Sequence, residues 1–221
     1  MAYGIKIEVW GDRALFTRPE LSTERYSYDV ITPSVARGLI EAIYWHPGLK
    51  YSIDRIHVLN PISFTSVRRN EVKSKASAHV LKSAIEQGRS IPSINTQEDI
   101  AQRASQILVN VRYVIEAHFD ITEKATSSDN AGKFKDILVR RLKKGQCYHA
   151  PYFGTREFPA KFRLYSEAES PCGYYSDLKE KDLGLMLYDM DYTNLQDITP
   201  IFFRAVMKNG VINVAESEVY R

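Results

Sequence analysis

The chain has 221 residues, of which 44% are hydrophobic and 26% charged, proportions typical of a globular protein rather than a disordered or fibrous one. At roughly 150 residues per domain, this length predicts one main body with a smaller appendage. No run approaches the roughly 18 apolar residues that span a bilayer, and the alternation from Ile5 to Val9 leaves no room for a signal peptide, so we expect a cytoplasmic protein with no membrane partner. Cys147 and Cys172 have no second pair beside them, which predicts free thiols and no zinc site.

Charge is distributed unevenly along the chain, although the net charge is only +3. Residues 66–90 carry six basic and two acidic side chains, residues 133–144 carry six basic and one acidic, and residues 165–199 carry eight acidic and two basic. Basic segments can neutralise phosphates and aromatic rings can stack on bases, so this pattern favours a nucleic-acid partner. Solvated helix faces would give the same composition.

The first quarter of the chain follows the order strand, helix, strand. Alternation of apolar and polar residues predicts a strand from Tyr3 to Trp10. Thr32 and Pro33 supply an N-cap and a first helical residue for a helix that runs to about Trp45. Alternation resumes from Tyr51 to Leu59, a segment rich in β-branched residues, and predicts a second strand.

The middle of the chain begins with a basic excursion from the core at residues 68–104, whose helical segment near residues 76–87 has no strong apolar face. A third strand is predicted from Gln106 to Ile121, with His118 on its polar face. A second helix follows, with an N-cap at residues 128–129 and apolar residues spaced three and four apart.

With the excursion set aside and a fourth strand at Lys161–Tyr165, the order is βαββαβ, which predicts an α+β ferredoxin-like sheet with helices on one face. Further on, alternation near Leu185 and a hairpin signal at Asn209-Gly210 predict a small antiparallel β-sheet. The predicted division is a ferredoxin-like domain at 1–165, containing the insertion 68–104, and a C-terminal β-sheet subdomain at 166–221.

The familiar catalytic motifs are absent: there is no GxSxG, no GxxxxGK loop and no HExxH. Asp189 and Asp191 could hold Mg²⁺ together with Asp182 or Asp197, but aspartates at exposed strand ends mostly face solvent. The five histidines show no metal-ligand spacing. We therefore expect neither a metal nor a cofactor.

One reaction that needs no such group is RNA cleavage by the RNA's own 2′-hydroxyl. A base removes the hydroxyl proton, a cation stabilises the charge that develops at phosphorus, and an acid protonates the leaving 5′-oxygen. His118, Tyr44 and a nearby lysine or arginine would suffice for this chemistry.

Five segments carry a more specific pattern. They are residues 43–47 (IYWHP), 117–119 (AHF), 153–158 (FGTREF), 182–191 (DLGLMLYDMD) and 202–212 (FFRAVMKNGVI). In this order they resemble the CRISPR-associated Cas5 family of subtype I-C. The resemblance implies a ferredoxin-like RAMP domain with a β-sheet C-terminal part, metal-independent cleavage of precursor CRISPR RNA near the base of the repeat hairpin, and retention on the 5′ handle beside the backbone and large subunits of the interference complex.

The resemblance also assigns the site. Tyr44, at the end of the first helix, and His118 match the catalytic residues of this subtype. The family pattern places a lysine beside that histidine, whereas no lysine lies on this strand, so Arg112, Lys50 or a cation of the basic helix substitutes, or cleavage is weaker. The expected RNA contacts are Arg68, Arg69, Lys133, Arg140, Arg141, Lys143, Lys144 and Arg156.

Each assignment has an alternative. Tyr44 would by default be a core or edge aromatic, and His118 would be satisfied by a cross-strand carboxylate. Arg156 could be a strand-edge charge, and the cations that end the basic helix would also stabilise its dipole. At the level of function, the alternatives are a non-catalytic subunit that caps the 5′ handle and a metal-dependent nuclease that uses Asp189 and Asp191.

Overall fold

The computed structural model describes residues 3–21, 24–166 and 169–221, so residues 167 and 168 of the acidic segment lie outside the described residues. Ten strands and three helices occur in this part of the chain. In chain order they are β1 (Tyr3–Ala14), β2 (Arg25–Tyr26), α1 (Pro33–Ile43), β3 (Leu49–Val58), β4 (Phe64–Val72), α2 (Ala78–Glu86), β5 (Ile100–Ile121), α3 (Ala131–Lys144), β6 (Lys161–Leu164), β7 (Lys181–Asp191), β8 (Thr199–Lys208), β9 (Val211–Asn213) and β10 (Val219–Tyr220).

The strands form a single large sheet in which the pairings are antiparallel, apart from the parallel contact of β2 with β5. The order through its centre is β9-β3-β5-β1-β6, with β4 also paired to β5 and β7 paired to β8. α1 packs against β3, α3 packs against β1 and β6, and the two helices contact each other, so they cover the same face. The predicted combination of helices with a β-sheet is confirmed, and the sheet is large and mainly antiparallel.

The two long helices form where their apolar stripes meet this sheet. Thr32 caps α1 as predicted, because its side-chain oxygen accepts the amide of Val35 at 3.4 Å. α3 is capped by Asn130 rather than by residues 128–129, which were predicted, since the Asn130 side chain accepts the amide of Lys133 at 2.9 Å. Gly145 ends α3 in the left-handed conformation, with φ of 63°.

The core lies between the helices and one face of the sheet. Ile7 of β1 and Ile115 of β5 are opposite each other in the antiparallel register and fully buried. The stripe of α3 that was predicted to face the core does so through Phe134, Leu138 and Leu142. Burial of such side chains is the main favourable term that holds the helices on the sheet.

The basic excursion is a long β-arm. β4 pairs with the first part of β5 from Phe64↔Leu108 to Val72↔Ile100, so β5 begins six residues earlier than Gln106, where it was predicted. α2 lies at the far end of this arm, and within it only Ala84 is buried. This segment therefore leaves the core, as its weak apolar face indicated.

The C-terminal strands continue the main sheet instead of forming a separate one. β9 pairs with β3, and β8 joins β9 through a tight turn in which Asn209 and Gly210 have φ of 49° and 78°. Both values lie in the left-handed region, as the predicted hairpin turn requires. The division of the chain near residue 165 stays a prediction. No helix in the described ranges is long and apolar enough to cross a bilayer.

Candidate nucleic-acid interface

His118 lies on the face of the sheet that the helices leave uncovered. Its strand neighbours Ala117 and Phe119 are buried in the core, whereas the His118 side chain is 29% exposed. Its Nδ1 lies 2.7 Å from Oδ1 of Asp54 on the adjacent strand β3. A carboxylate can only accept, so Nδ1 carries the hydrogen of this contact. Nε2, 3.9 Å from Oδ2 of Asp120, is then the ring atom that can accept a proton.

A β-bulge brings Asp54 to this position. The register of β3 with β5 shifts between Ile53 and Arg55, so Asp54 has no direct partner across the ladder. Bulges of this kind redirect a side chain, and this one directs Asp54 to His118. His118 therefore does have the cross-strand carboxylate that a purely structural role would require. The same contact also orients the ring for proton transfer.

Two cations contact Glu116, which lies two residues before His118 on β5: Arg55 of β3, whose Nη1 is 3.7 Å from Oε2 of Glu116, and Lys6 of β1. Lys6 is opposite Glu116 in the β1–β5 register, and its Nζ lies 2.9 Å from Oε1 of that carboxylate. Glu116 also contacts His57 at 2.9 Å. Burial opposes ionisation of Glu116, but the hydrogen bonds from Lys6 and His57 outweigh it and lower the pKa of this carboxyl, while burial lowers the pKa of His57. A cavity of about 410 Å³ beside these residues is lined by Lys6, Asp54, Glu116 and Lys135, among others.

Arg112 and Lys50 are the two single residues expected to replace the family lysine, and neither lies beside His118 with a free charge. Arg112 is occupied by Glu8, whose side chain is 1% exposed and is also bound by Arg163. Lys50 is opposite Asp120 near the end of the sheet. Lys6 is also ion-paired, with Glu116, but it lines the cavity that Asp54 lines, as neither Arg112 nor Lys50 does. It was missed because it lies on a strand more than a hundred residues before His118 in sequence.

Tyr44 lies on the other face, with its ring in the core. The ring packs at 6.3 Å from that of Phe134, and the guanidinium of Arg141 lies 5.0 Å above it. Burial raises the pKa of Tyr44, and the charges of Arg141 and Lys133 partly oppose this increase. No described residue makes a hydrogen bond to its hydroxyl. The phenol thus remains protonated at neutral pH and free to donate.

The two expected catalytic residues share one end of the sheet but not one face. His118 lies three residues before the end of β5, and the Tyr51 hydroxyl, near the start of β3, donates to the Tyr44 carbonyl at 3.0 Å. Tyr51 packs on Phe119, which belongs to the helix-covered face. The structure shows no direct contact between the Tyr44 and His118 side chains.

The cations of α3 differ in their partners. Lys133 is paired with Asp129 at 2.9 Å, and Arg141 donates to the carbonyl of Ile43 at 2.6 Å. Within the described ranges, several α3 cations have no carboxylate within ion-pair distance, and we call them the α3 cation cluster. They are Lys135, Arg140, Arg141, Lys143 and Lys144.

Of the other expected RNA contacts, Arg69 on β4 is bound to Glu157, which ties the β-arm to the loop before β6. Arg68 and Arg156 are both exposed.

The aspartates that offered a metal site are occupied: Arg37 binds Asp189 through both terminal nitrogens, and Asp191 accepts the amide of Thr193. No cluster of three potential metal ligands occurs in the described part of the chain.

Comparison with known proteins agrees with this description. Residues 4–215 match the family model described as CRISPR-associated protein (Cas_Cas5). The chain is 46% identical over 218 residues to a protein of Mannheimia succiniciproducens named CRISPR pre-crRNA endoribonuclease Cas5d, covering 97% of this chain and 96% of that protein. A protein of Thermus thermophilus with the same name is 37% identical over 237 residues, covering 98% and 95%.

A solved structure titled "Crystal Structure of CRISPR-associated Protein" superposes with a TM-score of 0.70 at 25% identity, covering all of this chain and 97% of that one. A structure of protein SMU1763c from Streptococcus mutans has the same TM-score at 24% identity, covering all of this chain and 98% of that one, and thus shares the fold. The family model and both relatives span nearly the whole chain. This protein therefore belongs to the CRISPR-associated Cas5 family.

Proposed function

We propose that this protein is an endoribonuclease that cuts precursor CRISPR RNA without a metal ion and stays on the 5′ handle as a subunit of a subtype I-C interference complex. The observation that carries the proposal is the nearly full-length similarity to two relatives named pre-crRNA endoribonucleases. Its partners are then the repeat hairpin, the handle, and the backbone and large subunits of that complex.

The proposal includes a ferredoxin-like RAMP fold. The four strands β1, β3, β5 and β6, with α1 and α3 between them, follow the order βαββαβ and are arranged as β3-β5-β1-β6 in the sheet. The second strand in sequence then lies at one edge and the fourth at the other, with helices on one face. Residues 166–221 would be a C-terminal subdomain that extends the sheet.

In the proposed reaction, His118 is the base. Its Nε2 accepts the proton of the 2′-hydroxyl, that oxygen attacks the adjacent phosphorus, and the bond from phosphorus to the 5′-oxygen breaks. Asp54 fixes the tautomer and stabilises the imidazolium that forms. The products are a cyclic phosphate and a 5′-hydroxyl, so neither water nor a redox partner is consumed.

Two further groups complete the proposal. Lys6, which lines the same cavity as Asp54 and Glu116, would stabilise the charge that develops on the phosphate oxygens. Tyr44, whose hydroxyl stays protonated because burial raises its pKa, would donate a hydrogen bond or its proton to the leaving 5′-oxygen and cannot act as a base. The attacking and the leaving oxygen belong to one phosphate, so Tyr44 and His118 would act in the same step only with that phosphate at the end of the sheet, where both faces meet.

The deciding experiment is incubation of the purified protein with its own repeat RNA in excess EDTA. We expect a single cut, because none of the proposed groups requires a metal. Tight binding without a cut, in EDTA or in Mg²⁺, would instead favour a non-catalytic handle-capping subunit. A cut that appears only with Mg²⁺ would contradict the proposed chemistry.

RNA affinity should depend on salt through the α3 cation cluster. Replacement of Arg140, Lys143 and Lys144 by glutamine is expected to reduce the slope of log affinity against log salt by about 0.7 for each phosphate that is no longer neutralised, and thus by about 2 in total. The matched control replaces Lys179, Lys181 and Lys208 of the C-terminal part, which removes the same charge. Equal slopes for both variants would show that α3 does not contact phosphates.

A further inference from the structure

An open groove of about 610 Å³ lies between α1 and the loop that follows α3, outside the proposed catalytic site. Its walls are aromatic: Trp45 follows α1, and Tyr148, His149 and Tyr152 come from the loop. Trp45 and Tyr148 remain 57% and 79% exposed. Large rings gathered on one exposed patch mark a binding surface more often than single exposed apolar residues do.

A glycine of α1 forms part of the floor of the groove. Gly38 lies in the middle of α1, where glycine is among the least favourable residues for a helix. No atom lies within 4 Å of the position that a Cβ at Gly38 would take, so packing does not require glycine there. Any larger side chain at this position would project into the groove. The glycine therefore keeps the groove open.

The backbone of the aromatic loop is hydrogen-bonded to α1. The amides of Tyr148 and His149 both donate to the carbonyl of Ala42, at 2.9 and 3.2 Å, which fixes the loop to the end of α1. The Tyr148 and His149 rings lie 5.8 Å apart. A loop whose backbone is already fixed loses less conformational freedom when a flat ligand stacks on its side chains.

The charges around the groove favour RNA over a protein segment. The α3 cation cluster ends one residue before the loop begins, and Arg141 binds the carbonyl of Ile43, two residues before Trp45. The carboxylate on the wall, Glu41, lies 3.6 Å from Arg37, which Asp189 also binds, and burial raises the pKa of Glu41. The groove volume suits a small planar group, whereas a protein segment would need a longer surface.

We propose that this groove binds an unpaired nucleobase of RNA, stacked on Trp45 and Tyr148, while the adjoining phosphates contact the α3 cation cluster. The inference rests on the proposed function for the identity of the ligand as RNA, but it does not depend on cleavage. Base stacking on an aromatic side chain is sequence-tolerant, because every base has a flat π-face.

The test uses the fluorescence of Trp45. The chain has two tryptophans, so Trp10→Phe leaves Trp45 as the only one. The probes are hexaadenylate RNA and an oligomer with the same phosphates but abasic sugars. We expect hexaadenylate to quench Trp45 and the abasic oligomer to leave it unchanged. Quenching of equal size by both probes would overturn the proposal.

Affinity variants test the groove itself. Tyr148→Ala and Gly38→Leu are each expected to weaken hexaadenylate binding about 10- to 100-fold, the effect of losing one stacked base. Gly38→Ala should weaken binding less than Gly38→Leu, because it adds a single methyl group. Tyr192→Ala, a control at an exposed tyrosine in the C-terminal part, should bind as the parent does. Melting curves establish that each variant is folded.

Two outcomes would contradict the proposal. One is unchanged hexaadenylate affinity in folded Gly38→Leu. The other is a change of oligomeric state in Gly38→Leu without a change in RNA affinity, which would make the groove a docking site for a second copy of the chain. Cleavage of repeat RNA is measured separately. If the unaltered protein makes no cut, the endonuclease proposal fails, whereas the proposal that the groove binds a base is decided by the hexaadenylate affinities.

Discussion

His118→Ala is expected to lower the rate constant for repeat-RNA cleavage about 10²- to 10⁴-fold with little change in RNA affinity, because positioned acid-base groups contribute this much to proton transfer. The imidazole acts on the reacting hydroxyl, whereas phosphate contacts elsewhere hold the RNA. Single-turnover cleavage with saturating protein separates the rate constant from binding.

Asp54→Asn tests whether the carboxylate positions His118. We expect a smaller loss of rate than for His118→Ala, again without loss of affinity, because the ring stays but its tautomer and charge are no longer controlled.

The matched control for His118→Ala is His79→Ala, which removes an exposed histidine from α2. A cleavage rate for His118→Ala within a factor of about three of that for His79→Ala would remove His118 from the mechanism.

Tyr44→Phe distinguishes the roles of the hydroxyl and the ring. The ring packs against Phe134, and phenylalanine preserves this packing. A loss of cleavage rate in Tyr44→Phe, at unchanged melting temperature, would assign the effect to the phenol proton. Unchanged cleavage would return Tyr44 to the role of a core aromatic.

The second large effect is expected on stability, at Glu8. This carboxylate is almost fully buried on the open face of the sheet and is bound by Arg112 of β5 and Arg163 of β6. The combined variant Arg112→Ala/Arg163→Ala leaves a buried charge without a partner. We expect a loss of about 3 kcal/mol in the free energy of unfolding, the lower end of the range for such a charge, because water can enter where the arginines were.

The control for this prediction removes the charge as well. Adding Glu8→Met to the double variant should recover most of the lost stability, because an apolar side chain needs no partner at this site. Urea denaturation monitored by circular dichroism measures all of these variants. If the triple variant is as unstable as the double variant, the loss arises from arginine packing and not from the unpaired carboxylate.

The sequence by itself determined the main elements of the fold. Period-two alternation located β1, β3 and most of β5, and the Thr32-Pro33 cap located the start of α1. Asn209-Gly210 located the β8–β9 turn, because its left-handed conformations admit few residue types. These signals are local, so they can be interpreted without knowing which strands pair. The segments that resemble the Cas5 family also indicated the family that the comparisons show.

Only the tertiary structure decided which residues meet. Asp54 reaches His118 through a β-bulge, and Lys6 approaches from a strand that is distant in sequence. Strand register and bulges depend on long-range pairing, which no local pattern encodes. For the same reason, the sequence could not show that Arg69 is neutralised by Glu157, or that Trp45 and Tyr148 share one groove. The sequence shows which functional side chains the protein has, and the pairing of its strands decides which of them come together.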